Sequence, residues 1–136
     1  MRFVGILLSA GILLAQAPPY QGVATPKQIM AAIQKPAMDS LAAMNKAGGP
    51  KDDKEWEAAG ASAAALAETA QLLLMGNRPK DQDVWVKSSA RLLEGASASS
   101  KAAAAKDLPA WQAAMGQMGG ACRSCHNVHR KKPGEK

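Results

Sequence analysis

Residues 107–129 read DLPAWQAAMGQMGGACRSCHNVH, and this stretch decides the fold. Trp111, Met115, Met118, Cys122, Cys125 and His129 follow one another at spacings of four and three, which puts them on one stripe of an α-helix facing a core. Asp107 stands where a helix cap belongs, and a large apolar residue, Trp111, closes the first turn. Gly116, Gly119 and Gly120 weaken a helix, so their presence in one points to a flat, bulky group approaching its backbone.

The same start signal recurs upstream. Asp52 with Trp56, Asp81 with Trp85 and Asp107 with Trp111 each place a tryptophan four residues after an aspartate, the first two within a longer PKD...W pattern. Alanine dominates, β-branched residues are scarce and alternating runs are absent, so nothing reads as a strand. Gly and Pro divide the chain into four apolar-periodic segments, at about 25–47, 52–75, 81–106 and 107–130. The first opens at Thr25-Pro26, a cap followed by a proline suited to the first helical position. Similar lengths and short turns predict an all-α, antiparallel up-down-up-down four-helix bundle. Its inward stripes are rich in Ala, Gly and Met, a thin core with room for something else to fill it.

Ahead of the bundle, residues 1–24 read as a cleavable signal peptide and short leader. Met1-Arg2 precedes an apolar run, Phe3 to Leu14, too short to span a membrane. Ala15-Gln16-Ala17 and Gly22-Val23-Ala24 both fit the cleavage rule, so the mature start falls between residues 16 and 25, and export to the periplasm is expected. No cysteine lies nearby to carry a lipid. Seventeen Lys and Arg against eleven Asp and Glu give +6, or +5 once Arg2 leaves with the signal. Arg123, Arg130, Lys131, Lys132 and Lys136 gather at the tail, where they can steer an acidic partner or simply favour a helix C-terminus. Few aromatics interleave them, which argues against nucleic acid.

The chain has only two cysteines, and they form Cys122-Arg123-Ser124-Cys125-His126, the attachment pattern of c-type haem. Two thiols one turn apart can form thioethers to one porphyrin edge, and the adjacent imidazole then reaches the iron. Other readings of the pair are a disulfide or redox thiol, although a thioredoxin-type motif expects an α/β fold, and a zinc site from Cys122, Cys125, His126 and His129, which would crowd four ligands into eight residues.

With this motif near the end of its last helix, the chain resembles the class II c-type cytochromes, the cytochrome c′ family and its methionine-ligated relatives, over essentially the whole mature length. The resemblance implies one covalent haem c, thioether attachment at Cys122 and Cys125, and proximal iron ligation by His126. The family contains five- and six-coordinate members, so the opposite face of the haem decides the function. In the expected topology His126 lies about 18 residues above the bottom of helix four. Met30 lies about 17 above the same level on helix one, whereas Met38 and Met44 fall lower by roughly 12 and 21 Å at about 1.5 Å per residue. Met30 is therefore the matched sixth ligand, the alternative being plain core packing; Met75 is a remoter candidate. The stripe Met30, Ile33, Ala37, Leu41, Met44 should face inward.

Ile33, Leu73, Leu74, Trp85 and Gly119 are expected to wall the pocket, with Trp56 and Trp111 at the opposite end. Pro36 should kink helix one. His129, near the helix end, reads as a solvated histidine. Together these features predict a one-electron carrier with a redox protein partner, not an enzyme: there is no nucleophile with its base, no paired carboxylates and no phosphate loop. The rivals are a five-coordinate haem protein binding NO or CO, and a haem-free zinc or thiol module. Alanine-rich faces on helices one and two would suit a homodimer.

Overall fold

The computed structural model of the protein describes residues 20–130. Residues 1–19, which hold most of the expected signal, and the basic tail from Lys131 lie outside the described residues. Among the described residues there are four helices and no strand, packed as a helical bundle. None is long and apolar enough to cross a membrane.

Helix α1 has three consecutive parts, an α turn Pro26–Ile29, a π segment Met30–Gln34 and an α segment Lys35–Lys46. Thr25 caps it reciprocally: the Gln28 amide donates to Thr25 Oγ1 at 3.3 Å and the Thr25 amide donates to Gln28 Oε1 at 2.9 Å. The π segment answers Pro36. Proline offers no amide hydrogen and crowds the carbonyl four residues back, and the Lys35 amide donates instead to Met30, five residues back. The helix ends where Gly48 and Gly49 take positive φ, 88° and 111°, and their amides bond back to Asn45 and Met44.

Helix α2, Asp53–Leu72, starts at Asp52, whose carboxylate accepts the Glu55 amide at 2.8 Å. Helix α3, Val84–Ala105, starts three residues later than its sequence signal because Asp81 bends the chain first, accepting the Asp83 amide at 2.8 Å and the Trp85 amide at 3.0 Å. Helix α4, Leu108–His129, is capped by Asp107, which accepts the Ala110 amide at 3.0 Å. Only Lys106 and Asp107 separate α3 from α4. Lys106 adopts the left-handed conformation, φ 53°, and its ammonium pairs with Asp53 at 2.7 Å.

Small residues set the packing. Ala59, Ala63 and Ala70 of α2 and Ala96 of α3 are fully enclosed beside Leu41, Leu66 and Met118. A Cβ on Gly95 would come within 3.0 Å of Met118 Cγ and 3.3 Å of its backbone nitrogen, so α3 and α4 can approach only because that position is glycine. The core has two parts. The larger includes Trp111, with the Trp56 ring edge-on at 6.1 Å. A smaller cluster joins Ile29, Leu73, Trp85 and Cys125, with Met30 packed against it. Trp85 thus sits apart from Trp56 and Trp111, the partition the sequence predicted.

One expectation for α1 fails. Ile33 is 40 % exposed, whereas Ile29, Gln34, Ala37 and Leu41 are buried. The five-residue step from Ile29 to Gln34 spans the wide π turn, which rotates Ile33 outward and Gln34 in.

Candidate functional site

The smaller cluster borders a cavity of about 490 Å³, within the size range of small-molecule sites. Pro26, Lys27 and Met30 line it from α1, Lys80 and Trp85 from the approach to α3 and its first turn, and Cys125, His126, His129 and Arg130 from the end of α4. Met30 and His126, on different helices, therefore face one space. A second void of about 20 Å³ shares Met30, Cys125 and His126 and is also lined by Cys122 and Leu73.

Of the expected pocket residues, Trp85 and Leu73 are buried, and the Trp85 indole N–H donates to the Leu73 carbonyl at 2.9 Å. Leu74 is half-buried and Ile33 exposed; neither lines either space. Gly119 also lines neither, and at Gly116, Gly119 and Gly120 an added Cβ would meet nothing within 4 Å. The protein's own atoms leave those three positions open, and the close approach that requires glycine is at Gly95. Met75 is exposed and on neither lining.

Both thiols are free, Cys125 buried and Cys122 half-buried. Burial holds the Cys122 thiol above the usual range, and burial together with the neighbouring Cys122 and Asp81 does the same for Cys125. His126 is held below its ordinary value by burial and then by the Arg130 charge, which favours the neutral imidazole that binds metals.

His129 is not the solvated residue its position promised. Its side chain is 15 % exposed, Nε2 lies 2.7 Å from Asp81 Oδ2, and its ring meets Trp85 edge-on at 5.4 Å. The two atoms approach outside hydrogen-bond alignment. The Asp81 carboxyl is held below its usual range, chiefly by the Trp85 amide it accepts. Lys80 Nζ stands 5.7 Å from the centre of the Trp85 ring. Asp81 therefore ties the last turn of α4 to the first of α3 across the cavity wall.

These residues fit a covalently attached haem. Two free thiols lie one turn apart, a neutral imidazole follows them, and a thioether from another helix lines the same cavity. Among the described residues no three His, Cys, Asp or Glu side chains are placed together to hold a metal ion. Gln34 and Asp81 were missed as site residues, and His129 was weighed only as a zinc ligand; only Pro36, which displaces the register, hinted at the first.

No family model matches the chain, and no curated protein or solved structure matches it.

Proposed function

We propose that this chain is an exported, monohaem c-type cytochrome that carries one electron between protein partners. The observation that carries the reading is the meeting of Met30, Cys125 and His126, from two helices, on one cavity, with Cys122 one turn before Cys125. Bound haem supplies the one-electron iron couple, and a methionine ligand raises its potential relative to a second imidazole. Cys122 and Cys125 would anchor the group through thioethers, and His126 from α4 and Met30 from α1 would hold the iron. Trp85 and Leu73 would give the group apolar contact. Lys27, Lys80 and Arg130 give the mouth a positive charge suited to an acidic redox partner.

The up-down-up-down course of the helices belongs to the same proposal. Its supports are the Trp85–Leu73 bond, joining the start of α3 to the end of α2, and the Lys106–Asp53 pair, joining the end of α3 to the start of α2. Periplasmic placement rests on the signal-like N-terminus.

The test is the absorption spectrum of natively produced protein, oxidised and reduced, before and after CO. A low-spin spectrum with a methionine–iron band and no response to CO is expected. A high-spin spectrum that shifts with CO would return Met30 to packing and make gas binding the function. Absence of covalent haem would overturn the reading.

A further inference from the structure

Four polar side chains gather where the alanine-lined core meets the cavity. Gln34, Thr69, Ser88 and Ser89 are each more than nine-tenths buried, and a buried polar group is costly without a hydrogen-bond partner. Thr69 settles part of the account. Its hydroxyl donates to the Ala65 carbonyl at 2.8 Å and accepts from Gln34 Nε2 at 3.3 Å. That bond uses the amide end of Gln34 and leaves its carbonyl oxygen free to accept.

Gln34, Ser88 and Ser89 line the void of about 20 Å³, whose other walls include Met30, Cys122, Cys125 and His126. A water needs about 10–15 Å³ of such space and two to four polar partners. The space, about half enclosed, has room for one, and three residues able to supply such partners line it. Gln34 reaches it because the π turn points that residue inward in place of Ile33.

We propose that this void is a single-water site held by Gln34, Ser88 and Ser89, and that through it Gln34 sets the polarity on the inner side of the Met30–His126 pair. The second half rests on the haem reading above. Losing an electron adds a unit of positive charge at the iron. An acceptor oxygen and a water free to turn toward that charge stabilise the oxidised form, and groups beyond the ligands tune a metal in this way. Gln34 is a positioning residue, acting through the water and not on the iron.

The first arm of the test is a high-resolution crystal structure of the chain as purified, with or without haem. An ordered water between Gln34, Ser88 and Ser89 is expected; an empty void overturns the site. The second arm is the midpoint potential of the loaded protein and its Gln34→Leu variant. The variant should favour the reduced form at least threefold in the reduction equilibrium while keeping its methionine–iron band. An unchanged potential with that band intact overturns the tuning role. If Gln34→Leu does not fold, the Ser88→Ala/Ser89→Ala double variant removes two of the three partners and should shift the potential the same way. A chain that never takes up haem overturns the reading of function and the tuning half with it, while the first arm still decides the water site.

Discussion

Arg78 Nε donates to the carbonyl of Ala24 at 3.0 Å, tying the segment ahead of α1 to the connection between α2 and α3. Arg78 is 6 % exposed, and among the described residues no carboxylate pairs with it. Its partners are the Ala24 and Leu72 carbonyls, the Tyr20 hydroxyl and the Tyr20 ring. A Cβ on Gly22 would come within 3.1 Å of it. Cleavage after Ala24 would strip most of this cage from a buried charge, so under the proposed export the cut should fall ahead of Tyr20. Intact mass of exported protein checks this, and a start at Thr25 would refute it. Arg78→Ala should lower unfolding stability by about 2–3 kcal/mol, the scale of charge-assisted hydrogen bonds, read from a urea titration.

Glycines on α3 and α4 should respond oppositely to alanine. Gly95→Ala forces a Cβ against Met118 backbone and should cost about 1–3 kcal/mol, as overpacking does. Gly116→Ala meets open space and should gain about 0.5–1 kcal/mol from helix propensity alone. Thermal unfolding of the two variants separates these signs.

Met30 is the position at which ligation and packing part company. Met30→His should keep a six-coordinate, CO-insensitive iron and lower the potential. Met30→Ala should lose the methionine–iron band and let CO bind. Both are read by absorption and spectroelectrochemistry, and identical spectra in all three proteins would show that Met30 only packs.

The haem-free chain should be most stable on a plateau between about pH 6.5 and 9. Burial and Arg130 hold folded His126 below its ordinary 6.5, so below that pH the unfolded chain takes up a proton the folded one resists, and stability falls as pH falls. Burial holds Cys122 and Cys125 above 9.0, so above that pH the unfolded thiols ionise first and stability falls as pH rises. Urea midpoints across pH check both limbs. His126→Gln should flatten the acid limb and Cys122→Ser/Cys125→Ser the alkaline one.

How far the sequence could be read depended on the regularity of the backbone. The stripe of α4 follows an undisturbed 3.6-residue period, and Trp111, Met115, Met118 and Cys125 are buried as it requires. Along α1 the same rule pointed Ile33 inward, yet Ile33 is exposed and the neighbouring Gln34 is buried. Hydrophobicity carries no mark of a π turn, and Pro36 announced a disturbance without its direction. The aspartate caps of α2 and α4 were legible because they act within one turn. His129 with Asp81, and Arg78 with Ala24, were not, since each joins residues far apart in the chain whose meeting only the packed helices decide.

Around the cavity mouth Lys27, Lys80 and Arg130 stand together, while the nearby Asp81 and Asp83 are already engaged by His129 and Lys87. Beside the Trp56–Trp111 pair, Asp52, Asp53, Glu55 and Asp107 are interleaved with Lys51, Lys54 and Lys106, the last paired with Asp53, so charge there largely cancels. The uncancelled positive charge stands at the opening. Adsorbed on a negatively charged electrode, it would land mouth first, and the current it passed would fall when the surface charge was reversed.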